Sequence, residues 1–255
     1  MNLAEIRSAL IDSGIEPGDT LMIHGDAIVA AQLTSIPRDL RLEVFFQEII
    51  NYLGPEGTLV VPTFTYSFTR SEVYNVIKSE SKAGLFSEVF RRKFPDSRTK
   101  HPIFSVVVLG KNKDLFLSST INDCFGDNTI FDLLFKLDAK LITLGCDIVR
   151  ITFTHYIEQK FGVDYRYFKY FSGDIVDGTK TLKGITSRYF VGNINLKYSL
   201  NLKKLKENLL LSNFIHIIPF GRVAAYTVTA KNYFYVATDM LNSDEYSLIE
   251  EGYHA

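Results

Sequence analysis

The segment LITLGCDIVRITFTHYIE, residues 141–158, decides how the chain reads. Leu141 to Leu144 is a short apolar run with the length and composition of a buried strand. Gly145 and Cys146 end that run, and Asp147 follows at its carboxyl end. If a helix begins near Thr152, His155 and Glu158 lie three apart on one face, where their side chains can meet. In open α/β sheets ligands bind beyond the carboxyl ends of the strands. A histidine there, with a carboxylate in reach, is a candidate general base. A His and a Glu one turn apart are also common on solvated helix faces, so the surrounding chain has to decide between the two.

Outward from this segment, Thr20-Leu-Met-Ile23, Thr58-Leu-Val-Val61 and Phe104 to Leu109 read as further strands. Apolar residues recur at helical spacing over 3–14 (Leu3, Ile6, Leu10, Ile11), 40–53 (Leu42, Phe45, Phe46, Ile49, Ile50) and 84–94 (Leu85, Val89, Phe90), and a helix is expected over 130–137. Residues 67–81 are polar and weakly patterned, an irregular excursion. Strand and helix thus alternate through the first 160 residues. That pattern predicts an α/β fold, a three-layer α/β/α sandwich around a mostly parallel or mixed sheet. The last third adds strands. Tyr165 to Phe171 is aromatic and basic, Asp177-Gly178 suggests a hairpin turn, and strands are expected over 187–191, 215–218 and 222–228. Helices are expected over 200–211 and from Asp239 onward. There is no internal repeat and no linker, so residues 1–255 read as one domain.

The 255 residues are 46% hydrophobic and 22% charged, an ordinary globular balance, and the net charge is −1. No basic excess favours nucleic acid, and no acidic excess favours a polycationic partner. The start lacks a basic leader and apolar core, and no apolar run is long enough to cross a membrane. The two cysteines, Cys124 and Cys146, are isolated. They fit free thiols in a reducing cytoplasm better than a disulfide or a zinc site. Cys146 as a nucleophile is the less common case, since a small buried Cys usually only packs. The expectation is a cytoplasmic protein without metal whose partner is a small molecule. A homo-oligomer is compatible with it.

Three stretches carry a family resemblance: PTFTYSF at 62–68, SEVFRRKFPDSRTKHPIFSVVVLG at 87–110 and LGCDIVRITFTHYIE at 144–158. In order and spacing they resemble the aminoglycoside 3-N-acetyltransferase family. The hallmarks matched are a basic loop ending in His101-Pro102 with Ser105 three residues on, and Thr152, His155 and Glu158 after a Gly-ended strand. The segment from Val163 to Lys169 resembles the variant found among cell-surface sugar biosynthesis proteins. The resemblance implies an α/β fold distinct from the GNAT fold, acetyl-CoA as acyl donor, an amine as acceptor, and His155 as the base that takes the amine's proton. Many members carry His-x-Ser-Leu beside the bound donor after the first strand. Here His24-Gly25-Asp26-Ala27 stands there, with Asp26 in place of the Ser.

The residues also suggest the chemistry. An ammonium group must lose a proton before it attacks a thioester, and a neutral imidazole suits that near neutral pH. Glu158, Asp147 and Asp174 are rival carboxylates to orient His155. The oxyanion needs donors. Backbone N–H groups around Gly25-Asp26, or the hydroxyls of Thr63 and Thr65, can serve, although those threonines can equally satisfy a turn. Arg91, Arg92, Lys93, Arg98 and Lys100 form a basic cluster suited to a phosphate-bearing ligand, or a solvated helix end. His101 and Ser105 read as donor contacts or as loop structure. Tyr66, Thr152, Arg166 and Lys169 are the expected acceptor contacts. Lys160, Arg166 and Lys169 stand alongside Asp164, Asp174 and Asp177, a mixture that suits an amino sugar linked to a nucleotide diphosphate better than a polycation. The expectation is N-acylation of a nucleotide-linked amino sugar for surface polysaccharide synthesis, with resistance-conferring aminoglycoside acetylation as the alternative. A hydrolase lacks its GxSxG or HExxH motif, and a non-catalytic CoA- or sugar-binding protein is the remoter case.

Overall fold

The structure is a computed structural model, and it describes residues 1–251. In chain order the strands are β1 (Thr20–Gly25), β2 (Thr58–Pro62), β3 (Tyr74–Asn75), β4 (Val106–Gly110), β5 (Lys140–Leu144), β6 (Arg166–Asp177), β7 (Lys180–Gly192), β8 (Tyr198–Leu200), β9 (Ile215–Phe220), β10 (Val223–Thr229) and β11 (Ile249–Glu251). The helices are α1 (Leu3–Asp12), α2 (Ile28–Ala31), α3 (Arg41–Leu53), α4 (Leu85–Lys93), α5 (Lys113–Leu117), α6 (Ile130–Lys136), α7 (Thr154–Phe161), α8 (Lys203–Leu211) and α9 (Ala230–Ser243).

The central sheet runs β4-β2-β1-β5-β10-β9. β1 pairs in parallel with β2 and β5, while β4, β10 and β9 join antiparallel at the two edges, so the sheet is mixed. Successive strand residues point to opposite faces, and the apolar residues divide accordingly. Leu21, Ile23, Leu59, Val61, Ile142 and Leu144 face one side, under Ile6 and Leu10 of α1, Phe45, Phe46 and Ile49 of α3, and Phe86 and Phe90 of α4. Met22, Val60, Leu141 and Val228 face the other, under α6, α7 and α9. Each fully buried Leu, Ile or Phe contributes about 1.5–3 kcal/mol, and both faces demand a cover. That gives the three α/β/α layers expected from the alternation.

A second sheet, β3-β6-β7, lies on the α7 side, where Ile175, Phe190 and Tyr165 join the same apolar cluster. Its main part is the hairpin of β6 and β7, paired from Arg166↔Gly192 to Asp177↔Lys180 around the turn at Gly178. β8 and β11 form a separate ribbon.

Two expectations are corrected. The last helix does not begin at Asp239 but ends nearby. α9 starts at Ala230, where the Thr229 side chain accepts from the N–H of Asn232 and caps it, and β11 follows. The remainder of that stretch, 252–255, lies outside the described residues. The excursion 67–81 is not wholly irregular, because Tyr74–Asn75 pairs with β6. Among the described residues no helix is long and apolar enough to cross a membrane.

Candidate active site

The chain leaves β5 through Gly145, whose φ of +72° lies in the left-handed region that favours glycine. It then enters α7. Thr154 fastens the first turn of that helix, with Oγ1 donating to the Ile151 carbonyl (3.0 Å) and 2.7 Å from the Tyr233 hydroxyl of α9. Gly162, at φ +85°, closes the other end by donating to the Glu158 carbonyl. Between these anchors His155 and Glu158 meet at i and i+3. The ring Nδ1 lies 2.6 Å from Glu158 Oε2. Glu158 is fully buried, and the Tyr165 hydroxyl donates to its Oε1 (3.1 Å).

Arg166, at the start of β6, completes the group. Its Nε is 2.8 Å from Glu158 Oε2, but that N–H is not directed at the oxygen, so this is a charge contact rather than an aligned hydrogen bond. Its Nη2 lies 2.9 Å from His155 Nδ1, and its Nη1 donates to the Phe190 carbonyl (3.1 Å). His155 Nε2 has no partner among the described residues. Burial pushes the His155 pKa down, the Arg166 charge adds to this, and Glu158 opposes it. Burial acts to raise the Glu158 carboxyl, yet its contacts with His155 and Arg166 hold it below the usual range. Of the three rival carboxylates, the structure brings only Glu158 to the ring. Asp147 lies 3.2 Å from Lys206 Nζ, and Asp174 accepts from the Gly184 N–H within the hairpin.

The donor-side residues divide into two groups. His24, at the end of β1, pairs with Thr143 of β5. By strand alternation both point to the face that α7 covers. His24 is 9% exposed and neither ring nitrogen has a partner, and Thr143 Oγ1 is likewise buried and unpartnered. Burial lowers the His24 pKa to about 4, so the ring is neutral. Such orphaned groups are what a bound molecule can satisfy. Gly25 permits a close approach, and the approaching group is the Phe86 ring, whose carbons lie 2.8 Å from where a Cβ would stand. Asp26 is exposed, its Oδ1 accepting from the Ile28 N–H beside the half-buried Ala27.

The second group is used internally, which corrects the reading of a free basic loop. Arg98 is 2% exposed. Its guanidinium donates to the carbonyls of Thr63 (2.7 Å), Val76 (3.0 Å) and Ser79 (2.6 Å) and to the hydroxyls of Thr63 and Ser105. Ser105 donates back to the Thr63 carbonyl (2.7 Å), and Thr65 donates to that of Pro102 (2.8 Å). His101 Nδ1 accepts from the N–H groups of Ile103 and Phe104, and Nε2 lies 3.1 Å from the Asp123 carbonyl. Arg91 and Arg92 pair with Glu88, Lys93 with Glu43 and Lys100 with Asp177. Cys146 stays a thiol, because burial pushes its pKa up.

On the acceptor side, Arg166 is held against Glu158, with its side chain 9% exposed. Thr152 accepts from the His155 N–H through its carbonyl, at the foot of α7. Lys169 is exposed on β6 over the Phe171 ring (5.2 Å). Tyr66 holds φ +54°, a backbone strained for a non-glycine residue, and packs edge-on against Phe104. The segment YRYFKYF does not send all its aromatics to the core. Tyr167, Phe168 and Tyr170 are exposed. Sequence reasoning missed Phe125, whose ring meets His155 edge-on at 5.8 Å, and the Asp123–Arg188 pair. Asp123 Oδ1 accepts from Gln159, one turn beyond His155, and the Arg188 guanidinium lies 4.3 Å over Phe168. No short motif marks these residues, since the loop at 123–125, α7 and the hairpin meet only in the fold.

Comparison with known proteins agrees with this architecture. A family model described as aminoglycoside 3-N-acetyltransferase matches residues 31–242. Among solved structures, aminoglycoside acetyltransferase AAC(3)-Xa superposes with TM-score 0.79 at 18% identity, over 97% of this chain and 94% of that one. AAC-IIIb with CoASH superposes with TM-score 0.79 at 15% identity, over 95% and 97%. AAC-VIa bound to sisomicin does so with TM-score 0.79 at 15% identity, over 95% and 98%. At these identities the superpositions speak for the fold. No curated protein sequence matches the chain. With the family model spanning most of its length, the chain belongs to the aminoglycoside 3-N-acetyltransferase family, N-acyltransferases that use acetyl-CoA to acylate a small-molecule amine.

Proposed function

We propose that this protein transfers the acetyl group of acetyl-CoA to an amine of an aminoglycoside, as one domain over 1–255 acting in the cytoplasm. The observation that carries the reaction is the fixed ring of His155. Nδ1 contacts buried Glu158 at 2.6 Å, and Nε2 is left without a protein partner among the described residues. With Nδ1–H donating to Glu158, the lone pair stands on Nε2, where it takes a proton from the acceptor amine. The new N–C bond forms as the C–S bond breaks. CoA leaves as thiolate and is then protonated, and Glu158 steadies the transient imidazolium. His24 and Thr143, with polar atoms buried and unpartnered, are the residues to hold the donor near its thioester. The aminoglycoside reading rests on the family description and on the sisomicin-bound relative.

One observation favours a second acceptor, a nucleotide-linked amino sugar. Glu158, the carboxylate on His155, is matched by Arg166, and Asp123, bonded to Gln159 on the same helix, is matched by Arg188. A polycation therefore finds little unbalanced negative charge, while exposed Phe168 and Tyr170 and the half-exposed Arg188 suit a base and its phosphates. The experiment is acetyl transfer from labelled acetyl-CoA to both acceptor classes, with products identified by mass. Product with aminoglycosides only supports the first reading, and product with nucleotide-linked sugars only replaces it with the second. No product with either refutes both.

A further inference from the structure

His155 Nδ1 has two neighbours of opposite sign, Glu158 Oε2 at 2.6 Å and Arg166 Nη2 at 2.9 Å. A guanidinium only donates, so with Nδ1–H directed at Glu158 the Nη2 group stands beside the ring as a positive charge and not as a hydrogen-bond partner, while Nε of the same guanidinium lies against the carboxylate at 2.8 Å. Glu158 is fully buried, and the Arg166 side chain is 9% exposed. A buried carboxylate demands a cation. Without Arg166 the nearest group able to supply that charge is the imidazole itself, as imidazolium, and an imidazolium accepts no proton. The remaining groups around His155 do not change this balance. Asp123 and Arg188, reached through Gln159, neutralise each other. The hydroxyls of Tyr165, against Glu158, and Tyr189, against Phe125, stay protonated because burial pushes both up.

We propose that Arg166 is a positioning residue of the transfer site: by neutralising buried Glu158 it leaves the His155 ring uncharged, with Nε2 ready to accept the amine's proton. The inference rests on His155 as the base and holds for either acceptor. It also assigns Arg166 a role other than substrate binding. Electrostatically, burial acts most strongly against the charged ring, the arginine contact adds to it, and the glutamate contact opposes both. Removing the arginine lets the His155–Glu158 pair keep one more proton at neutral pH.

The test compares the pH profile of kcat/KM for thiol release in wild type, Arg166→Gln and Arg166→Lys, with the His155 ring followed by NMR in the same proteins. In Arg166→Gln the acid limb moves up by about one pH unit or more, so the rate near neutrality falls roughly tenfold and returns in alkali. Arg166→Lys restores the limb towards wild type, and KM for acetyl-CoA stays put. The proposal is overturned if Arg166→Gln loses activity equally at every pH. It is also overturned if NMR shows an imidazolium in wild type at neutral pH, a reading that needs no folded variant. Full activity in His155→Ala would instead sink the base assignment beneath it.

Discussion

Acidification tests the two deeply buried histidines, His101 and His24. His101 is fixed as a neutral ring. Its Nδ1 accepts from the N–H groups of Ile103 (3.2 Å) and Phe104 (3.0 Å), which leaves Nε2–H to donate to the Asp123 carbonyl (3.1 Å). A proton on Nδ1 would point at two N–H groups. Burial pushes both rings down to about 4, from 6.5 in the unfolded chain. Since the folded values lie below the unfolded ones, this stability is complete above pH 6.5 and drains away as the pH falls towards 4. By about pH 4.5 each histidine has lost roughly 2–3 kcal/mol, a large share of a total on the order of 5–15 kcal/mol. Glu88, held near 2 by Arg91, Arg92 and the Ser81 N–H against the opposing effect of burial, keeps its share until the pH drops below the ordinary carboxylate value of 4.5. The assay is urea unfolding followed by circular dichroism across this range, in wild type and His101→Asn. The asparagine oxygen can still accept from the two N–H groups. Its baseline falls by about 1 kcal/mol for the lost Nε2 bond, and roughly half of the acid-dependent loss disappears. Flat stability from neutrality to about pH 4.5, or an unchanged slope in His101→Asn, would refute the reasoning.

Three further outcomes follow from the packing. Gly25→Ala forces a Cβ against the Phe86 ring and costs about 1–3 kcal/mol; thermal melting should show a drop of roughly 2–4 °C per kcal/mol, and an unchanged melt would mean that the ring yields freely. Arg98→Met strips the donors from three carbonyls, at about 1–3 kcal/mol for each one left unsatisfied and buried. Relief of a buried cation offsets part of that, so a net loss of about 3 kcal/mol is expected in chemical unfolding, and wild-type stability would show that water replaces the guanidinium. Arg188→Ala should raise KM roughly tenfold for a nucleotide-linked amino sugar, by loss of one charge-assisted contact, and leave KM for aminoglycosides unchanged. Equal KM in variant and wild type for the nucleotide acceptor would remove the support for the second reading.

What could be read beforehand follows a physical line. Period-two and period-3.6 patterns are local, so the strands at 20–25, 58–62 and 140–144 and the helices at 3–12, 41–53 and 85–93 emerge within a residue or two of expectation. The His155–Glu158 contact is also local, since i and i+3 on a helix must meet. The inward turn of Arg98 was not legible because its partners are distant in sequence. Thr63 lies 35 residues from Arg98, and a basic loop gives no sign that its guanidinium will turn inward onto carbonyls. The start of α9 was hidden because its first turns carry Tyr233, Phe234, Tyr235 and Val236, a β-prone composition that burial against α6 and α7 overrides. The hairpin turn at Asp177-Gly178 was legible, but the length of its strands was not. Their exposed faces are polar or aromatic without a strict alternation.

The central claim is that His155 takes the acceptor's proton, and the direct test is thiol release from acetyl-CoA by wild type beside His155→Ala and His155→Gln, with an acceptor the wild type uses. The account predicts folded variants with acetyl-CoA binding intact and a rate reduced by about 10²–10⁴, recovering in part at alkaline pH, where more of the amine is already neutral. A His155→Ala enzyme within a few-fold of wild type at neutral pH would contradict it.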